Sequence, residues 1–343
     1  MPLTVSLADV SEGDLPLVGG KASKLGEVLR QGLPVPPGIV LSTEAYERFV
    51  SETNLHEVIP TALASLDPSR PETIEAASRT IRSAFEAAPL PSALASALTH
   101  AIQAFLDEHK VRFVAVRSSA TAEDLEGASF AGLQETYLNV QGVEAILAAV
   151  RRCWGSLFTP RVLVYRARKG FDHATVRLAV LVQKMVEATV SGILFTRDPN
   201  TGENHMIVEA GFGLGEAIVG GEVTPDHYVV DGASQRIVHK QISEQTFRLD
   251  RAPSGGNVKR ELPPGERDRQ KLPDDRILRL ASLARVIESH YRRPMDVEWC
   301  ADATSLYIVQ ARPVTTLPAD GPGPPRSSPS SASDSARAGE APG

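Results

Sequence analysis

Cysteine is almost absent: Cys153 and Cys300 are the two in a chain of 343 residues. They stand far apart and in no metal-ligand spacing, which argues against a zinc or iron–sulfur framework. Two buried free thiols in a reducing compartment are expected instead. No apolar run reaches membrane-spanning length; even 176–186 is broken by Arg177, Gln183 and Lys184. The opening residues, MPLTVSLADVSEGD, have neither the basic start nor the apolar centre of a secretory signal. Excess positive charge is missing too. A formal net charge of −6 gives no general attraction to nucleic acid. Residues 318–343 hold no aromatic and no large aliphatic side chain, so they cannot bury enough surface to offset the entropy of ordering. These absences predict a cytoplasmic protein with no membrane or nucleic-acid partner, ending in a disordered Pro/Ser/Ala-rich tail or linker over 317–343. No internal repeat is visible.

The remaining chain is long enough for two domains or subdomains, each with its own core. With 42% hydrophobic and 23% charged residues, its composition is that of an ordinary globular protein. Residues 20–32 read as a helix, with Ala22, Leu25, Val28 and Leu29 as an apolar stripe and Gly32 as its stop. A short strand follows at 38–41, then Ala-rich amphipathic helices at 72–87 and 91–108. A long helical pattern over 143–169 is interrupted near Thr159 and Pro160. The character then changes. Short apolar or alternating runs at 176–186, 192–196, 206–210, 228–230 and 236–240, separated by Asn, Gly, Pro and Asp, predict a meandering antiparallel sheet. Residues 250–275 are charged and rich in Pro and Gly, as in a loop or linker. A helix over 275–291 and a hairpin of 296–300 with 306–310 complete the pattern.

The most informative stretch is FVAVRSSATAEDLEGASFAGLQETY, residues 113–137. Phe113 to Val116 read as a buried strand that delivers Arg117 into a segment crowded with Ser, Thr, Ala and Gly. An arginine fork suits phosphate oxygens, and small residues let backbone N–H groups approach an anion. On residues alone, an ordinary post-strand loop stands beside that reading. Gly19-Gly20-Lys21-Ala22 invites comparison with a P-loop, but Leu15 and Ala22 stand where that motif needs Gly and Ser/Thr. What remains is a paired glycine at a helix start with a lysine in the first turn. It is open to an anion-site reading or to a capped surface helix with a solvated lysine. The Gly-rich run 209–226 fails as a dinucleotide fingerprint, since Glu216 or Ile218 occupies the third glycine position.

The hairpin has the sharpest chemical content. If Glu298 pairs with an even-numbered residue such as Ile308, then Asp296, Glu298, Gln310 and Arg312 share one face. Such a face offers hard oxygens for Mg²⁺ and a guanidinium for a phosphate; a plain polar outer face has the same pattern.

Together, GGKASKLGE, the 113–137 stretch with its GASFAGLQET loop, VQKMV, GLGEAIVGG and DVEW…IVQARPV resemble the N-terminal nucleotide-binding domain of the phosphoenolpyruvate synthase, pyruvate phosphate dikinase and rifamycin phosphotransferase family. The motifs run in family order from Gly19 to Val314. The resemblance implies an α+β, ATP-grasp-like nucleotide-binding module of two subdomains, 1–190 and 191–316, clasping Mg-ATP between them. It implies that Lys21, Arg117 and Arg312 neutralise phosphate charge, with Lys24 a lesser contributor. Gly132 and Thr136 belong to a loop over the triphosphate. Gln183 meets an adenine edge, Met185 and Val186 supply main-chain groups and an apolar wall, and Glu298 and Gln310 hold Mg²⁺.

Family members are much longer and relay phosphate through a histidine on a swivelling domain. None of the eight histidines here has that Gly-rich, small-residue context; His173 comes nearest, followed by Ala174 but preceded by Phe171 and Asp172. The implied acceptor is therefore a histidine on another chain or on a domain outside this sequence. The alternative is a non-enzymatic nucleotide-binding or regulatory module. A self-contained kinase or ligase ranks last, because no second substrate pocket is visible.

Overall fold

The computed structural model describes residues 1–121, 135–169 and 176–314. Gly132, the surroundings of His173 and the tail over 317–343 lie outside the described residues.

The first part of the chain runs β1 (Thr4–Ser6), α1 (Leu15–Arg30), β2 (Gly38–Leu41), α2 (Thr43–Ser51), α3 (Leu55–Ala64), α4 (Pro71–Ala87), α5 (Ser92–Glu108) and β3 (Val114–Ala120). It continues through β4 (Thr136–Val140), α6 (Val143–Gly155), α7 (Pro160–Lys169) and β5 (Leu178–Lys184). The second part holds β6 (Val190–Phe195), β7 (His205–Phe212), α8 (Glu216–Val219), β8 (Asp226–Asp231), β9 (Ile237–Gln241), β10 (Phe247–Arg251) and β11 (Asn257–Glu261). It closes with α9 (Pro264–Arg267), α10 (Asp274–Tyr291), β12 (Met295–Ala301) and β13 (Leu306–Pro313). Among the described residues the strands form a five-stranded sheet ordered β1-β2-β5-β3-β4, a six-stranded sheet ordered β13-β12-β6-β7-β8-β9, and the separate hairpin β10-β11. Every pairing is antiparallel.

Two apolar cores hold these layers. One packs the helices α2 to α7 against a face of the five-stranded sheet, around Phe49, Phe85, Trp154 and Phe158. The other joins α1 and α10 to the six-stranded sheet and also takes in Val40, Ala179 and Leu181 from the five-stranded one. Helix α1 touches β3 and β5 on one side and β13 on the other, so it lies between the sheets. Period-two alternation explains the division in β12: Met295, Val297, Trp299 and Ala301 enter this core, which leaves Asp296, Glu298 and Cys300 on the opposite face.

Helix α1 starts five residues before the expected 20, because a short helical turn precedes a break at Gly19 (φ 73°, ψ 169°). That conformation is essentially restricted to glycine. A Cβ there would lie 2.0 Å from the Ser119 carbonyl oxygen. Gly19→Ala is therefore expected to cost at least about 2 kcal/mol, read as a fall in thermal unfolding midpoint. An unchanged midpoint would contradict this close approach.

Two expectations change. Arg117 sits inside β3, not in a loop beyond it, because β3 pairs on both sides, Arg117 with Leu181 and with Thr136. Residues 250–275 are not a structureless linker: they hold the end of β10, β11 and α9. Every residue of β11 is exposed, so no apolar alternation betrays the strand. Main-chain pairing and a cross-strand contact build the hairpin, with Asp250 taking Arg260 of β11 at 3.1 Å and Arg248 of its own strand at 3.0 Å. In the terminal hairpin Glu298 does meet an even-numbered residue, Gln310, while Ile308 pairs with Trp299 after a bulge. The pairing Asp296 with Arg312 preserves the shared face.

Candidate functional site

Between the two sheets lies a cavity of about 500 Å³. Lys21, Arg117, Thr136, Gln183, Met185, Val186, Glu298, Gln310 and Arg312 all line it. Every described residue expected to bind nucleotide or metal, Lys24 excepted, is thus brought to one place, from segments spread over nearly 300 positions.

Lys21 enters from the first turn after the Gly19 break and is 9% exposed; its ammonium donates to the Ser118 carbonyl at 3.1 Å. Ser119 ties the same turn to β3, its hydroxyl donating to Val18 O (2.8 Å) and accepting from Ala22 N (3.0 Å). Arg117, 8% exposed, projects from the centre of β3. Its Nη2 donates to Gln310 Oε1 at 3.1 Å and stands 3.6 Å from Glu298 Oε2, while Nη1 donates to the Val309 carbonyl and to Gln183 Oε1 at 3.4 Å. The guanidinium thus spans the gap from one sheet to the other. Arg312 is more open; Asp296 Oδ2 fixes its Nε at 2.8 Å and its Nη2 at 2.7 Å.

Gln183 is buried, its amide nitrogen donating to Pro36 O at 3.1 Å. Here it orients Arg117 and would meet a base edge only after changing partners. The Met185 N–H likewise donates to Phe113 O at 3.0 Å.

Glu298 and Gln310 face each other across β12 and β13, with Gln310 Nε2 donating to Glu298 Oε1 at 2.9 Å. Neighbouring Asp296 is nearly out of water, and its Oδ1 has no hydrogen-bond partner. Burial pushes its carboxyl above the usual carboxylate range, against the pull of Arg312. Among the described residues no three His, Cys, Asp or Glu side chains gather as a metal cluster. One carboxylate, one amide oxygen and an unsatisfied buried carboxylate oxygen nonetheless fit an ion that keeps waters and takes other ligands from phosphates, as Mg²⁺ does.

Several lining residues had no assigned role in the sequence. Leu138, Leu214 and Val219 add apolar wall, and Lys184, Glu216 and Cys300 add polar groups. Burial raises the Cys300 thiol to about 12, which keeps it protonated. Glu216 carried a signal, standing in the Gly-rich run; Leu138 carried none, since an alternating edge strand looks the same wherever it lies. A second cavity, of about 600 Å³, opens between α2 and the α4–α5 turn, from Glu52 to Ser92, and no basic side chain lines it. No helix among the described residues is long and apolar enough to cross a membrane.

Residues 15–328 match the family described as pyruvate phosphate dikinase, AMP/ATP-binding domain. The chain is 48% identical over 312 residues to a probable phosphoenolpyruvate synthase of Archaeoglobus fulgidus, covering 91% of this chain and 41% of that protein. It is 43% identical over 316 residues to a probable phosphoenolpyruvate synthase of Methanocaldococcus jannaschii, covering 91% of this chain and 26% of the relative. Against a rifampicin phosphotransferase of Bacillus subtilis it is 41% identical over 317 residues, 92% of this chain and 36% of the other. The chain therefore spans less than half the length of these relatives.

Proposed function

The chain belongs to the family of pyruvate phosphate dikinase AMP/ATP-binding domains, and from that premise we propose that it binds Mg-ATP in the cavity between its sheets and donates a phosphoryl group to a histidine on a separate domain. The observation that carries this proposal is the convergence of Lys21, Arg117 and Arg312 on one cavity, two of them almost fully buried. Guanidinium and ammonium groups gathered at one cavity suit an anion of several charges. A polyphosphate is the ligand whose charge and length match three such groups. The apolar wall of Leu138, Met185, Val186, Leu214 and Val219 suits a base.

Phosphoryl transfer asks chiefly for positioning and charge stabilisation. Arg117, held by both sheets, would grip non-bridging oxygens with its planar fork, and Lys21 would add a point charge from the helix start. Arg312, aimed by Asp296, would reach the transferred group. As the histidine nitrogen bonds to phosphorus, the phosphorus–oxygen bond to the nucleotide breaks and its electron pair leaves with the nucleotide oxygen. The three cations offset the charge that develops there. Glu298 and Gln310 would hold Mg²⁺, which when bound neutralises phosphate charge and fixes phosphate orientation.

We further propose an ATP-grasp-like division into subdomains 1–190 and 191–316; one cavity walled by a five-stranded and a six-stranded antiparallel sheet supports it. Two buried free thiols support a cytoplasmic setting. The names phosphoenolpyruvate synthase and rifampicin phosphotransferase leave pyruvate or a drug as final acceptors; the cavity residues do not distinguish them.

The test supplies a histidine-bearing domain from a relative in trans, with labelled ATP. The expected result is acid-labile, base-stable phosphohistidine on that domain, abolished by Lys21→Ala and by Glu298→Ala. ATP binding with no label on any histidine domain tried would contradict the transfer and leave a nucleotide-binding module.

A further inference from the structure

The chain between β9 and α10 leaves the six-stranded sheet, crosses to the five-stranded one as the β10–β11 hairpin, and returns. Its root is anchored in the six-stranded sheet. The Gln245 side chain accepts from Phe212 N at 2.8 Å and donates to Phe212 O at 2.9 Å, and Leu214 N donates to Leu249 O at 2.9 Å. The far end lands on β4 and the loop before β3. Gly256 N donates to Asn139 O at 3.1 Å, and Asn139 Nδ2 donates to Asn257 Oδ1 at 2.7 Å. Arg251 pairs with Glu187 at 2.8 Å and lies 4.4 Å over the Phe113 ring.

The receiving residue is unusual. Asn139 is a non-glycine with φ 56°, 1% exposed, beside the irregularity in the β3–β4 register between Val114 and Val116. Asparagine tolerates that left-handed conformation better than most residues, and it turns its carbonyl and amide to the hairpin. Asn257 in turn donates from its amide nitrogen to Glu216, a residue of the cavity wall.

We propose that the β10–β11 hairpin is a strap whose docked tip latches the two sheets over the cavity and sets the rate at which nucleotide leaves. This rests on the nucleotide reading above. The cavity walls belong to different sheets, so a ligand gripped by both leaves most readily when they part. The sheets share α1 and the short connection from β5 to β6. The tip adds a further bridge, to β4 through Asn139 and to Glu187 on that connection, through a few polar contacts, and Asn257 itself is exposed. Contacts of this kind open locally at far lower cost than a buried core, and such openings commonly limit ligand release. Through Asn257 and Glu216, tip docking is also coupled to the shape of the cavity wall.

The experiment uses the full chain and N-methylanthraniloyl-ATP. Stopped-flow displacement by excess ATP is recorded for the unaltered chain, Asn257→Ala, Arg251→Ala and, as a control on the same hairpin, Val258→Thr. The two tip variants are expected to release the analogue roughly 5- to 20-fold faster, with association changed less than about twofold. The control should match the unaltered chain. In nucleotide-free Asn257→Ala, hydrogen exchange at the Gly256 amide should accelerate, reporting the undocked tip without any ligand. Faster exchange at Gly256 with unchanged release in both tip variants would overturn the latch while leaving the cavity as a nucleotide site. Failure of the unaltered chain to bind the analogue at all would overturn the nucleotide reading, and the latch with it.

Discussion

Arg117→Ala should lose roughly 10- to 100-fold in affinity for ATP whether or not Mg²⁺ is present, since a charge-assisted hydrogen bond is worth about 1.5–3 kcal/mol. Arg117 contacts both sheets, through Val309 and Gln310 on one side and Gln183 on the other. Its loss would remove the proposed phosphate ligand and a side chain that contacts both Glu298 and Gln310. Arg117→Lys keeps the charge but not the fork, and should recover only part of the affinity. Glu298→Ala should behave differently, weakening binding mainly when Mg²⁺ is present, because a carboxylate ligand to the ion is lost while the phosphate cations stay. Calorimetric titrations with and without Mg²⁺ separate the two patterns. Equal losses from Glu298→Ala in both conditions would remove the metal role.

The largest effect on stability is expected far from that chemistry. Asp226 and Lys271 form an ion pair at 2.8 Å with both side chains fully buried. Asp226 also accepts from Tyr228 OH at 2.7 Å, Ser243 N at 3.0 Å and Lys271 N at 2.8 Å. The Lys271 ammonium donates to the Ser243 and Arg267 carbonyls besides. This network pins both ends of the strap segment to β8. Asp226→Ala leaves an ammonium without a counter-charge in the interior, at a cost of about 3–5 kcal/mol. Lys271→Met alone should cost less, since three hydrogen bonds still satisfy Asp226. The pair Asp226→Asn with Lys271→Met should recover part of the loss, because no unpaired charge then remains. Denaturant unfolding of the three variants measures this. Equal costs for all three would contradict an origin in the unpaired charge.

Much of the fold was legible because period carries it. The helices at 72–87, 91–108 and 275–291 match α4, α5 and α10 within a residue at either end, as their apolar stripes are long. Strands β5 to β9 were located by their apolar or alternating runs, with ends displaced by a residue or two. Residues 43–64 gave no clear signal. In α2 the buried set is Thr43, Ala45, Tyr46 and Phe49, too short a stripe to stand out, and α3 carries Pro60 inside it. The strap was unreadable for a different reason: β11 buries nothing, and its partners Asn139 and Glu216 lie 118 and 41 residues away.

The site was legible residue by residue and not in its connections. Parity along β12 and β13 put Asp296, Glu298, Gln310 and Arg312 on one face provided Glu298 met an even-numbered residue, as it does in Gln310. No local pattern could say that Gln183 would spend its amide on Pro36 and Arg117. None could say that Asp296 would aim Arg312 either, because those partners come from other elements.

Photolabelling with an azido-adenine analogue of ATP, followed by peptide mapping, tests the central claim most directly. The account predicts a single saturable label, removed by excess ATP, within the stretch that carries Gln183, Met185 and Val186 or the facing stretch with Leu214 and Val219. Specific label confined to residues 52–92, around the second cavity, would place the nucleotide elsewhere and contradict the account.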